Sequence, residues 1–218
     1  MNIFSMDNAF FRFMGKLTDL LWLNILTLIC CIPVFTAGAA FSAMYYILIH
    51  MTLKQDTGIT KVFFRVFKEN FKNSTIVWVP SFLVLVALFA NGYLIYHGTL
   101  EGYSKLTIAS GLSIGAIAAI VILFLNYVLS MISRYDTELK NNIKNAFLLM
   151  AAYAPRSFCI LMITLAPIAL MMVSDNFLYF WFIYGFSFPG YVNAMLLGDI
   201  FVKTEDATGN GRDELGEI

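Results

Sequence analysis

Apolar residues along this chain gather into five long stretches that contain no Asp, Glu, Lys or Arg: 20–49, 74–98, 106–133, 157–174 and 176–198. A helix rises ~1.5 Å per residue and the hydrocarbon core of a bilayer is ~30 Å thick, so stretches of this length read as membrane-spanning helices. The pattern predicts an all-α, polytopic transmembrane helical bundle.

The first stretch is too long for one straight span, since thirty residues would make a helix of ~45 Å. Near its middle stands Pro33, which disfavours helix at Ile32, and Thr36 follows where it could cap a new helix. The pattern predicts a hairpin, with one span from about 13 to 32 and another from about 36 to 52. A single tilted or kinked helix is the alternative.

The placement of cations decides between them, because short loops rich in Lys and Arg stay cytoplasmic. Residues 50–73 hold Lys54, Lys61, Arg65, Lys68 and Lys72, and residues 134–156 hold Arg134, Lys140, Lys144 and Arg156. Loop 99–105 holds only Lys105, and the turn around Asp175 holds no cation. With the hairpin, Arg12, Lys16, Lys203 and Arg212 fall on the same side as both basic loops. Six spans with both termini cytoplasmic are therefore expected, against five with a kinked first helix. Residues 1–198 read as one integral membrane domain and 199–218 as a short acidic tail without fixed structure.

Both basic loops carry helical periodicity. In the first, Phe63, Phe64, Phe67 and Phe71 share one face and Lys61, Arg65, Lys68 and Lys72 another. Such a helix can lay its aromatic face into the acyl boundary with its cations on anionic headgroups, or pack on the protein itself. In the second, Leu139, Ile143, Phe147 and Met150 recur at helical spacing beside Lys140 and Lys144. An offset of eighty aligns Asp56-Thr57 with Asp136-Thr137 and Phe67 with Phe147. Either a repeat of span, surface helix and span or convergent helix-start chemistry produces that match.

Composition agrees with lipid residence: 60% of the 218 residues are hydrophobic and 13% charged, about half the charge of an average soluble domain. Mean hydropathy is +0.76. Arg12 and Lys16 ahead of an apolar run, with Ala37-Gly38-Ala39 after it, raise a cleaved signal peptide as an alternative. Asp7 and Asp19 suit that reading poorly, and apolar sequence continues past Ala39. Cys30, Cys31 and Cys159 form no disulfide framework or zinc spacing.

The span interiors hold no acid or base, which argues against a pump built on a midplane carboxylate and against a voltage sensor. His-Glu-x-x-His and the phosphate-binding loop pattern are missing, and His50 and His97 fall near opposite membrane faces. No catalytic residue, metal ligand or cofactor is expected. Neutral polar residues remain. Asn24, Asn91, Asn126 and Asn193 either join helices by hydrogen bonds or line a path for a polar solute. Gly111 and Gly115 form a small-residue ridge whose default role is packing inside the bundle, with an oligomer seam as the alternative. Trp22, Trp78 and Trp181, with Tyr45, Tyr46, Tyr93, Tyr96 and Tyr179, read as anchors at the membrane faces.

The stretch from Pro33 through Gly38 to Tyr46, followed by Phe63-Phe64-Arg65-Val66-Phe67-Lys68-Glu69-Asn70-Phe71, resembles the YesL family of small bacterial integral membrane proteins. The likeness in order of elements covers nearly the whole chain. The family has no established activity, so no site residue is carried over. Its members are often encoded beside carbohydrate-uptake ABC transporter components in Gram-positive bacteria. The resemblance therefore implies a bacterial plasma-membrane protein tied to sugar import or sensing, with lipids and transporter subunits as partners and no nucleic acid. A non-enzymatic accessory factor is the expected function; a small permease for a neutral polar solute such as a sugar is the alternative.

Overall fold

A computed structural model describes residues 9–52, 58–98, 105–135, 137–173 and 184–208. Its helices are α1 (Ala9–Cys31), a 3-10 turn (Val34–Thr36), α2 (Ala37–Thr52), α3 (Ile59–Gly98), α4 (Lys105–Arg134), α5 (Leu139–Ala152), α6 (Ala154–Val173) and α7 (Ser187–Thr208). No strand occurs among the described residues.

The first apolar run is a hairpin, divided where Pro33 denies the chain a backbone donor. Thr36 does not cap α2. Its hydroxyl is turned back toward the carbonyls of Cys30 at 2.5 Å and Pro33 at 2.6 Å, which closes the end of α1. On α1, Leu20, Leu23, Asn24, Leu26 and Thr27 are buried at helical spacing.

α2 is the centre of the bundle. Eleven of its sixteen residues are buried, on all sides of the helix, and α1, α3, α4 and α7 surround it. Small residues make this enclosure possible, as they let neighbouring backbones come close. At Gly38 a Cβ would lie 2.5 Å from Trp78 Cβ and 2.9 Å from the Ser74 carbonyl, so only glycine fits between α2 and α3. The Trp78 indole N–H donates to the Val34 carbonyl at 2.8 Å and ties the hairpin turn to α3 at the same height.

α3 departs from the expected layout. The aromatic-basic segment and the following span form one continuous helix of 40 residues, ~60 Å long. Asn73 and Ser74 are weak helix formers but do not break it, and Pro80 is accommodated inside. The four aromatics do not form one lipid-directed face. Phe63 is fully buried and stacks on Phe67, Phe67 and Phe71 are half-buried, and Phe64 is exposed. Packing on the protein's own core accounts for most of the aromatic periodicity.

α5 occupies the second amphipathic segment, but the unit does not repeat the first. α5 and α6 meet at 101° across Tyr153, where the continuous α3 has no elbow. Phe147 is exposed whereas Phe67 packs on the core. Glu138 precedes α5 without a side-chain cap; Thr137 donates instead to Asn142 Oδ1 at 2.6 Å. Asp56, Thr57 and Asp136 lie outside the described residues. Ser157 holds the elbow: its hydroxyl donates to the Met150 carbonyl at 3.0 Å, so Tyr127 must donate to Ser157 Oγ at 2.8 Å.

α7 runs to Thr208, ten residues past Gly198, with Ile200 and Phe201 buried. The structured part of the chain thus extends well into the segment read as a tail. By length and composition four described helices can cross a membrane, 14–31, 34–52, 59–95 and 109–134, or five if the bent α5–α6 pair is one span. The last expected span, 176–198, falls partly outside the described residues.

Replacing Gly38 by Leu is expected to force α2 and α3 apart and lower stability by about 1–3 kcal/mol, the usual cost of overpacking. Thermal unfolding of the detergent-solubilised chain measures it; an unchanged midpoint would show that the seam is not tight.

Candidate functional site

The structure separates the four asparagines of the expected polar path. Asn24 is a structural cap: its Oδ1 accepts from the backbone N–H groups of Phe186 at 3.1 Å and Ser187 at 3.2 Å, at the start of α7. Those are donors that no turn of α7 can satisfy. Asn91 is exposed on α3 and donates to the Ala87 carbonyl of its own helix at 2.8 Å. Asn126 of α4 and Asn193 of α7 do meet, at a cavity of about 290 Å³ between α2, α3, α4, α6 and α7.

Around that cavity each polar group reaches its place from a different helix. Tyr45, buried on α2, donates its hydroxyl to Asn126 Oδ1. Asn126 Nδ2 in turn donates to the Ile122 carbonyl at 2.8 Å. Asn193 Nδ2 donates to Thr164 Oγ1 at 2.8 Å, and Thr164 donates to the Ile160 carbonyl at 2.8 Å. Asn193 lies beside the Tyr45 hydroxyl as well. Its own Oδ1 is buried without a hydrogen-bond partner among the described residues.

The remainder of the wall is apolar. Phe41 stands edge-on to Phe186 with ring centroids 5.2 Å apart and tilted on Trp78 at 5.8 Å. Leu85, Leu125 and Ile168 add aliphatic surface. Among the described residues no acid, base or cation lines the cavity. Its chemistry is that of a binding site with neutral hydrogen-bonding groups at one place on an apolar wall.

Two of these residues change role relative to the sequence reading. Tyr45 and Trp78, read as anchors at the membrane faces, are a core hydrogen-bond donor and a cavity wall. Apolar α2 with a tyrosine at its centre was the available signal: a buried phenol needs a partner. Thr164 stood among many neutral polar residues with nothing to distinguish it.

A second feature is the cationic face of α3. Lys61, Arg65, Lys68 and Lys72 are all exposed and follow one another along one side of the helix. Gly111 and Gly115, expected to pack inside the bundle, have no atom within 4 Å of an added Cβ and are exposed. The ridge makes no contact among the described residues, because α4 buries its side chains at 125–133 and not in its first half. Among the described residues no three His, Cys, Asp or Glu side chains cluster as metal ligands. His50 sits against its own helix, stacked on Tyr46 at 4.0 Å with Nδ1 2.8 Å from the Tyr46 carbonyl.

Residues 18–92, about a third of the chain, match the profile of a family described as a protein of unknown function, DUF624. The hairpin, the Gly38 seam, the cationic face and Tyr45 lie inside that range, while Asn126, Thr164 and Asn193 lie beyond it. No curated protein and no solved structure matches the chain.

Tyr45→Phe leaves Asn126 Oδ1 buried with no donor and is expected to destabilise the fold by about 1–3 kcal/mol. The double variant Tyr45→Phe, Asn126→Leu removes both partners and should recover part of that loss. Unfolding midpoints of the two proteins provide the check, and a double variant weaker than the single one would show that the bond is not the source.

Proposed function

We propose that this chain is a non-enzymatic membrane protein of the bacterial plasma membrane that serves as an accessory factor, and that the cationic face of α3 is its contact surface. The observation that carries this reading is the continuity of α3. At ~60 Å it is twice the thickness of the hydrocarbon core, so half of it must lie outside lipid tails. Its outward surface divides accordingly: Ile76, Leu83, Val86, Phe89 and Leu94 are exposed on one half, and Lys61, Arg65, Lys68 and Lys72 on the other. Water and headgroups are the cheaper surroundings for the cationic half.

By the positive-inside rule that half is cytoplasmic. The start of α1 and the end of α7 then point the same way. Trp22 in α1 donates to Thr60 at 2.8 Å, and Gly198 in α7 lies beside Thr52, both at the cationic end of α3. The α1–α2 turn, with exposed Ile29, Ile32, Val34 and Phe35, sits at the height of Trp78, where the outward face of α3 becomes apolar. In this arrangement the hairpin approaches the bilayer from the cytoplasmic side and presents its tip to the hydrocarbon. A partner held on the cationic face is thereby joined through one unbroken helix to the membrane.

The resemblance to the YesL family directs the proposal to carbohydrate uptake, with subunits of a sugar ABC transporter as the partner. The alternative of a sugar permease draws less support, because only two of its four asparagines meet and the cavity wall around them is largely apolar.

The test is charge reversal of Lys61, Arg65, Lys68 and Lys72 to Glu in the full chain, followed by co-purification with native membrane partners. These side chains are exposed, so the fold should survive, and recovery of transporter subunits is expected to fall at least about fivefold, more so at low salt. Recovery equal to that of the parent chain would remove this face from the function.

A further inference from the structure

We propose that the cavity between α2, α3, α4, α6 and α7 binds an uncharged amphiphile, a molecule with one hydroxyl at the end of an apolar body. Its volume of about 290 Å³ lies at the small end of ligand sites. Most polar atoms at its wall have at least one partner. Tyr45 and both ends of the Asn126 amide are paired, Thr164 both accepts and donates, and Asn193 Nδ2 is used. Among the described residues one acceptor is left over: Asn193 is 1% exposed, lines the cavity, and its Oδ1 has no partner.

A buried amide oxygen without a donor is unfavourable, and structures keep one where a ligand or a bound water supplies the missing hydrogen. An acceptor asks for a donor, which a ketone or an ester does not carry. No cation lines the cavity among the described residues, which disfavours a carboxylate or a phosphate. A sugar brings several hydroxyls, and one open acceptor would leave the others buried and unpaired. One hydroxyl satisfies Asn193, and the rest of the molecule rests on Phe41, Trp78, Phe186 and Leu85. The donor can belong to a membrane lipid alcohol or to a small alcohol from water. The inference uses none of the cationic residues of α3 and stands whether or not the accessory role does.

Trp78 in the wall reports occupancy. Trp22→Phe and Trp181→Phe leave it the only tryptophan, and the full chain in phosphatidylcholine nanodiscs can be titrated with 12-bromododecan-1-ol and with 1-bromododecane, which lacks the hydroxyl. Saturable quenching by the alcohol is expected at about tenfold lower concentration than by the alkane, the size of one net hydrogen bond. In Asn193→Leu the two probes should coincide. Ile168→Phe, a change at an exposed rim position, should weaken quenching by both and keeps the test available if the Asn193 variant does not fold. Unlabelled dodecanol and 2-phenylethanol, each as competitor, separate the sources: stronger displacement by the first marks a membrane lipid, by the second a solute from water. Equal quenching by alcohol and alkane in the parent, a preference that survives Asn193→Leu, or displacement of the alcohol by glucose or maltose would each overturn the proposal.

Discussion

The close approach of α2 to α3 at Gly38 is the constraint on which the other contacts depend. With no side chain at that point, the Ser74 carbonyl and the Trp78 side chain come directly against the α2 backbone. Trp78 is thereby set to bond the Val34 carbonyl and to serve as one wall of the cavity. The same approach seats α2 deep enough for α4 and α7 to close over its other sides, and α7 does so through another glycine, Gly190, against Met44 and Leu48. Tyr45 is then enclosed and must find its hydrogen-bond partner inside the protein, which it does at Asn126.

Enclosure of α2 also alters what its composition means. A helix that is apolar all round can be a membrane span or the central helix of a bundle, and sequence alone does not separate the two. Most of α2 is covered by protein, whereas the outer half of α3 offers apolar side chains to its surroundings, with Phe89 77% exposed. Exposed apolar surface of that extent requires lipid or another protein. The stronger argument for a bilayer is therefore the outward face of α3 and the first half of α4, with Leu112 and Ile120, and not the first charge-free run.

Local signals carried much of the fold. Pro33 and the excess length of 20–49 were enough for the hairpin, and the period of Leu139, Ile143 and Phe147 was enough for α5. The joint at 73–74 was not legible, because a change from basic to apolar composition looks like an element boundary while nothing in the backbone chemistry of Asn73-Ser74 forbids helix. Nor was the elbow. Pro155 near the start of α6 suits a first helical turn, but the 101° change of direction is set by Ser157, Tyr127 and the Met150 carbonyl meeting across three helices. The asparagines show the same limit more sharply. Asn24 completes the start of a helix 162 residues away, Asn91 turns back on its own helix, and Asn126 and Asn193 share a cavity; their one-letter contexts are alike.

The pairing state of those amides is what gives the cavity a chemical preference. Had Asn193 Oδ1 been satisfied, as both ends of Asn126 are, the space would be an apolar void selecting by shape alone. With one acceptor open and Tyr45, Asn126 and Asn193 each already donating once, the described wall favours a molecule that brings a hydrogen-bond donor. Three of the elements that fix this arrangement, α4, α6 and α7, lie outside residues 18–92. The segment that matches the family profile thus supplies the hairpin seam and one side of the cavity, and the remainder of the chain supplies the amide that gives it selectivity.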